Sequence, residues 1–331
     1  MRYDDLADEQ TYLRTRAADW IERQARRDER SRRSVLKIMA TAVPTLVAGA
    51  LVRPSAHAAP GRRSARLVSQ RDSGSPILKP LPPEWFINYG SNAEMRWDTV
   101  DYGYLTPVER FFVRDHTATP VIDPRTWQLQ LFGTGLRNAP TGDRPPTLSF
   151  EQLRRFPSRT ITAAIECTGN GRSFFTTQRG MTVPGTPWQL GAVGVARWTG
   201  TPLSAVLEWA GVTPDAVDVM PAGLDATVVA DGTDNGHVRR PFPIQKALDD
   251  VLLAYEMNDE PLLPDHGAPV RVVVPGWVGV ANIKWVGQIQ VAAEPLYSLW
   301  NTAQYRLVGP HYPPDEPPLT NQAVKSAFEL A

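Results

Sequence analysis

The chain has one cysteine, Cys167, and five histidines in 331 residues. A single thiol excludes an intramolecular disulfide framework. The sequence also lacks a Cys-x-x-Cys-His motif for covalent haem and a Cys/His cluster for zinc. Charge of one sign is absent too, since 35 Lys and Arg balance 35 Asp and Glu. No global field therefore points to nucleic acid or an acidic membrane as partner, and any anion site has to be built locally. Helical periodicity is scarce. In its place stand 31 prolines and 10 tryptophans, the mark of an aromatic-packed protein with many loops and short strands, because proline is poorly tolerated inside helices and central strands. Length does not limit core size.

Residues 1–30 mix charges of both signs without an apolar stripe. Ser31-Arg32-Arg33-Ser34 then precedes a weakly apolar run, residues 38–52, and the small-x-small site Ala56-His57-Ala58. This order reads as a cleavable export signal of the twin-arginine type, with cleavage after Ala58 and a periplasmic or secreted product. The run is 15 residues long, short of the roughly 18 to 20 that span a bilayer, so the processed chain is not expected to stay in the membrane. Residues 59–78 are rich in Arg, Ser, Gly and Pro and read as a flexible linker. A folded domain is expected over 79–310, followed by a proline-rich linker from 311.

Within that domain, residues 127–131 alternate as a half-exposed strand, and residues 160–165 are β-branched enough to form another. Further strands are expected at 227–230, 251–255, 270–274 and 289–291. Helices are few: Ser149 carries an N-cap signal, and Thr201-Pro202-Leu203 opens a second helix that Gly211 closes. The fold class that follows is α+β, mixed sheets with short peripheral helices.

Cys167 falls where the strand 160–165 gives way to the turn Gly169-Asn170-Gly171, a location favoured by functional side chains. Thiolates bind soft or high-valent metals, and Arg172 supplies a neighbouring positive charge. The residues alone also permit a small buried hydrophobe here. Three other clusters bear chemistry. Phe112-Val113-Arg114-Asp115-His116 spaces a cation and an imidazole two apart, hence on one face of an extended segment. Asp265, His266 and Arg271 stand at a loop-to-strand entry. In Asn282-Ile283-Lys284-Trp285 an ammonium sits among apolar groups, where burial costs several kcal/mol unless an anion faces it. Together they suit a phosphorylated cofactor whose metal the thiolate holds.

These stretches, in this order, resemble the molybdenum-cofactor domain of the sulfite oxidase family over about residues 79–310. The residues that carry the resemblance are Phe112 to His116, Glu166-Cys167 with Gly169-Asn170 and Arg172-Ser173, Ala196-Arg197-Trp198, residues 252–258, residues 265–276, and Lys284-Trp285. The resemblance implies that Cys167 is the protein thiolate on molybdenum. It implies that Phe112, Val113, Arg114, Asp115, His116, Asp231, His266, Arg271, Asn282, Ile283 and Lys284 bind the pyranopterin and its phosphate. Arg114 and Arg172 would receive the substrate oxyanion, Trp188 would be the pocket tryptophan, and Tyr305 would hydrogen-bond the transferred oxygen. The implied reaction oxidises sulfite to sulfate by oxygen-atom transfer. With no haem segment in the sequence, electrons would leave to an external acceptor such as a c-type cytochrome.

Two departures stand out. Asp115 occupies a position where the family usually has asparagine, adding negative charge beside an anion site. The family's β-sandwich dimerisation domain, with its further substrate arginine, is represented only by residues 323–326, which resemble its first strand. Dimerisation is therefore left open. A same-family reductase of methionine sulfoxide or nitrate, and a metal-free binding protein on the same fold, are the alternatives. Cys167→Ser is expected to abolish turnover and weaken molybdenum retention; full turnover in that variant would contradict the ligand assignment.

Overall fold

The computed structural model describes residues 76–230, 232–308, 312 and 314–323. The export signal, most of the 59–78 linker, Asp231 and residues 324–331 lie outside the described residues. The chain opens with strands β1 (Phe86–Asn88), β2 (Asn92–Met95) and β3 (Val113–Arg114), then β4 (Gln128–Phe132), β5 (Thr147–Ser149) and helix α1 (Phe150–Leu153). Strand β6 (Arg159–Glu166), helix α2 (Ser173–Arg179), strand β7 (Val193–Pro202) and helix α3 (Leu203–Trp209) follow. Next come β8 (Asp218–Gly223), the short pair β9 (Val229–Ala230) and β10 (Thr233–Asp234), β11 (Phe242–Pro243) and α4 (Ile244–Asp249). Strands β12 (Leu252–Met257), β13 (Glu260–Pro261), β14 (Arg271–Val273) and β15 (Val286–Ala292) and helix α5 (Leu299–Thr302) complete the order.

Two five-stranded sheets form the body: β11-β8-β15-β4-β5, and β13-β12-β7-β6 with β14 also paired to β12. A smaller sheet, β1-β2-β3, holds the N-terminal segment. The β15–β4 pairing is parallel, while β6 runs antiparallel to β7 along eight residue pairs from Arg159↔Gly200 to Glu166↔Val193. The α+β class expected from the sequence is what the sheets and short helices show.

Strand β12 explains how the layers stack. Its residues Leu253 and Tyr255 enter a core shared with β4, β8, β15 and helix α3. Leu252 and Ala254 enter another core with Phe111, Phe112, Ile165, Trp188 and Trp198. Successive side chains on a strand face opposite ways, so a strand buried on both faces has to be apolar throughout, as Leu-Leu-Ala-Tyr is. Burying each large aliphatic side chain contributes about 1.5–3 kcal/mol. The second core lies directly under the end of β6, and so under Cys167.

Helix α1 has the N-cap expected at Ser149, and the cap is reciprocal: Gln152 N–H donates to Ser149 Oγ at 3.2 Å, and Ser149 N–H to Gln152 Oε1 at 2.8 Å. Helix α3 differs from expectation. Thr201 does not cap it; the residue is fully buried and its hydroxyl donates to the Leu153 carbonyl at 3.0 Å. The helix begins after Pro202 and ends before Gly211, whose φ of 78° is the left-handed geometry expected of a helix-terminating glycine. Strand β8 carries no strand signal in the sequence because Pro221 interrupts it. Proline cannot donate to the ladder, and the register with β15 shifts between Val286 and Gln288.

Candidate active site

Five separate segments supply most of the lining of one cleft enclosing about 740 Å³, mouth included. The end of β3 contributes Phe112, Arg114, Asp115 and His116. Strand β6 and the loop after it contribute Ile165, Cys167 and Thr168. The loop entering β14 contributes Asp265, His266 and Arg271, the loop before β15 contributes Gly279, Val280, Asn282, Ile283, Lys284 and Trp285, and Tyr305 comes from beyond α5. Phe111, Asp225 and Val238 complete the lining.

Cys167 is half-buried and follows β6 directly. Its N–H donates to the Ala192 carbonyl at 2.9 Å, and its own carbonyl accepts from Asn170 N–H at 2.9 Å. Asn170 ties the turn down further, donating to Glu166 Oε1 at 3.0 Å and accepting from Ala192 N–H at 3.1 Å. Gly279 lies against this turn so closely that a Cβ there would stand 2.5 Å from the Glu166 carbonyl oxygen. Only glycine permits that approach, which brings the loop before β15 up against Cys167.

The cationic side of the cleft rests on a buried cluster. The Asp115 side chain is fully buried and pairs with Lys284 Nζ, which also donates to the Asp265 carbonyl at 2.7 Å. Lys284 thus finds the anion that its apolar surroundings demanded. The Thr119 hydroxyl sits between the two carboxylates, 3.0 Å from Asp115 Oδ2 and 2.6 Å from Asp265 Oδ1. Asp265 in turn accepts the Leu78 and Lys79 amides at 3.0 and 2.6 Å, which fastens the first described residues to the site. Burial pushes Asp115 up and Lys284 down, and their mutual attraction opposes both shifts.

The imidazoles are held neutral. Burial, with nearby cations, depresses His266 and His116 well below the usual histidine range. His266 Nε2 lies 3.1 Å from the Val108 carbonyl, which makes Nε2 the protonated nitrogen. His116 Nε2 is 3.0 Å from Arg114 Nη2 and 3.3 Å from Trp300 Nε1, so this nitrogen is the acceptor. Arg271 is buried, with Nη1 donating to the His266 carbonyl at 2.9 Å and Nη2 to the Asn282 carbonyl at 3.2 Å. Burial lowers it to about 9.

The sequence-assigned residues divide at this cavity. Val113 is buried in the small N-terminal core, and Trp188 is 1% exposed and packed edge-on to Phe112 and Tyr89; neither belongs to the lining. Arg172 is also absent from the wall. Its guanidinium lies where Cβ atoms on Gly169 and Gly185 would clash, at 2.6 and 2.7 Å, and Nη1 donates to the Thr186 carbonyl at 2.9 Å. Asp231 lies outside the described residues, whereas Asp225, which the sequence reading passed over, lines the cleft. Burial pushes the Asp225 carboxyl up to about 6. Asp225 had no signal in the sequence, because the strand it follows, β8, is itself concealed by Pro221. Thr168 was equally available, one residue after the cysteine.

The residues fit a phosphorylated pterin carrying a metal. Arg271 Nε, the Thr168 hydroxyl and Asp225 Oδ1 are buried without a hydrogen-bond partner among the described residues. Buried polar atoms on a cavity wall call for polar atoms on a ligand. The guanidinium and ammonium groups match a phosphate and the lone thiol matches a soft metal. Among the described residues no group of three or more His, Cys, Asp or Glu converges on a metal position.

Such a site on such a fold defines an oxidoreductase of the molybdopterin-binding class. A family model described as an oxidoreductase molybdopterin binding domain matches residues 116–300. The mitochondrial sulfite oxidase of Drosophila melanogaster is 38% identical over 73% of this chain and 39% of its own length. The NADH nitrate reductase of Ulva prolifera is 30% identical over 65% of this chain and 24% of its own. Among solved structures, the sulfane dehydrogenase SoxCD from Paracoccus pantotrophus superposes with a TM-score of 0.56 at 30% identity, covering 69% of this chain and 54% of that one. The chain belongs to the sulfite oxidase family of molybdopterin-dependent oxidoreductases, and spans well under half the length of the curated sulfite oxidase from Drosophila.

Lys284→Met is expected to lower unfolding free energy by about 3 kcal/mol at pH 7, since removing one member of a buried pair strands the other. With its folded-state carboxyl raised by burial, Asp115 protonates more readily folded than unfolded. The loss should therefore shrink as pH falls toward 4, and adding Asp115→Asn should recover much of it at pH 7. Equal losses at both pH values, or no recovery, would refute the pairing.

Proposed function

We propose that this chain oxidises sulfite to sulfate and passes the electrons to an external acceptor, a c-type cytochrome. The observation that carries the reading is the convergence of Arg114, Cys167 and Tyr305, from distant parts of the chain, on one cavity with a cationic wall. Cys167 would hold the molybdenum. Asp225, His266, Arg271, Asn282, Ile283 and Lys284, with Phe112, Arg114, Asp115 and His116, would hold the pterin and its phosphate. When bound, the cofactor supplies oxygen-atom transfer coupled to a two-electron change at its metal.

The chain's own residues do the rest. Arg114 has no carboxylate partner among the described ion pairs and neighbours the neutral His116, so its charge is available to a small oxyanion. Tyr305 presents a phenol that can donate a hydrogen bond to the oxygen in transfer. Phe111, Phe112, Ile165 and Trp285 give the cavity apolar wall that limits water and strengthens these polar contacts. Arg172, clasped between Gly169 and Gly185, supports the Cys167 turn; an anion role for it requires the clasp to open. Trp188 acts through packing, as the floor beneath Phe112.

Nitrate reduction is the second reading, favoured by the similarity to the Ulva nitrate reductase. The molybdenum-loaded enzyme should reduce cytochrome c when given sulfite. Arg114→Gln should raise the sulfite KM at least about tenfold while changing kcat less, the pattern of lost substrate binding. An unchanged KM would remove Arg114 from the substrate site, and faster turnover of nitrate with a reduced dye would replace sulfite oxidation by the second reading.

We further propose export by the twin-arginine route, supported by Arg32-Arg33 ahead of the run 38–52. Lysine at both positions should hold the protein in the cytoplasm; unchanged periplasmic recovery would contradict the route.

A further inference from the structure

Tyr305 stands at an unfavourable backbone geometry, φ 58°, in the left-handed region that a bulky residue rarely adopts. Such a conformation is strained and persists only where surrounding contacts enforce it. Here the contacts come from a strap of later sequence, residues 314–323, which lies along the domain. Leu319 N–H donates to the Tyr305 carbonyl at 2.7 Å, and Leu307 N–H to the Pro317 carbonyl at 3.0 Å. The strap continues past the cleft's glycine loop, where Val278 N–H donates to Thr320 at 2.9 Å and Gln322 N–H to Gly276 at 2.9 Å.

Arg306 closes this arrangement. Its guanidinium donates Nε to the Glu316 carbonyl at 2.6 Å, Nη2 to the Asp315 carbonyl at 2.7 Å and Nη1 to the Thr302 carbonyl at 3.1 Å. One planar fork thus joins the end of α5, the residue after Tyr305, and the strap. An arginine holds three carbonyls in fixed directions in a way that a lysine point charge cannot.

We propose that Arg306 is a positioning residue, which clamps residues 315–316 to the end of α5 and so holds the Tyr305 phenol at the cavity. The inference rests on the role given above to Tyr305 in oxidising sulfite. It also gives the strap a part in the active site: the sequence 314–323, which reads as a linker, instead braces the chain that carries Tyr305.

The test uses the molybdenum-loaded full chain in Tyr305→Phe, Arg306→Ala, Arg306→Lys and Arg306→Ala/Tyr305→Phe forms. Arg306→Ala should lower kcat/KM for sulfite about tenfold, equivalent to about 1.4 kcal/mol of transition-state stabilisation. In the Tyr305→Phe background the same change should have little further effect, because its benefit passes through the phenol. Hydrogen exchange followed by mass spectrometry should show the peptides containing Leu307 and Leu319 exchanging faster in Arg306→Ala. Arg306→Lys should fall between parent and alanine variant, and serves if the alanine variant does not fold. An unchanged kcat/KM, an equal loss in both backgrounds, or unaltered exchange would overturn the positioning role. If Tyr305→Phe itself leaves turnover intact, the role of Tyr305 fails first, and independently.

Discussion

The ammonium of Lys284 is buried between the Asp115 carboxylate and the Asp265 carbonyl, and that contact joins three of the segments from which the cavity is made. Each partner alone would be costly to bury. Together, with Thr119 between the carboxylates and the Leu78 and Lys79 amides on Asp265, they form a polar knot in an otherwise apolar interior. Everything that lines the cleft on its cationic side is placed relative to this knot. Acidic side chains beside an anion site therefore do not repel the anion so much as hold the lysine that faces it.

The thiol side of the cleft depends on a different constraint, the eight-residue pairing of β6 with β7 above the core that Ile165 and Ala163 enter. Strand β6 ends at Glu166 against β7, and Asn170 fixes the turn that follows. The position of Cys167 is thereby inherited from the sheet rather than from the loop. A ligand mounted on the end of a long paired strand is preorganised in the way that metal binding rewards. The mouth of the site is softer, for Tyr305 comes from irregular chain held by carbonyl contacts to the strap.

Much of this was legible in the sequence. The β-branched run before Cys167, the apolar stretches of β12 and β14, and the cap of α1 all follow local rules that tertiary contacts reinforced. So did the demand of Lys284 for an anion, although the identity of that anion, Asp115, required the fold. Other features were not readable. Pro221 concealed β8 because its pairing partners supply the missing order. Trp188 and Arg172 carry residue types typical of pockets, yet packing against Phe112 and a clasp between two glycines place them off the cavity wall. Asp225 was passed over because a carboxylate at a strand exit has no local signature, and its environment comes entirely from distant chain. The prolines of the C-terminal stretch suggested a linker, whereas its Asp315 and Glu316 carbonyls receive Arg306 and its Leu319 N–H donates to the Tyr305 carbonyl.

The central claim is that Cys167 ligates a cofactor-borne molybdenum. X-ray absorption at the molybdenum edge, on purified parent and Cys167→Ser proteins matched for metal content, tests it most directly. The account predicts bound molybdenum in the parent and a sulfur shell smaller by one ligand in the serine variant. Identical sulfur shells in the two proteins, or a parent that binds no molybdenum when produced with the cofactor available, would contradict it.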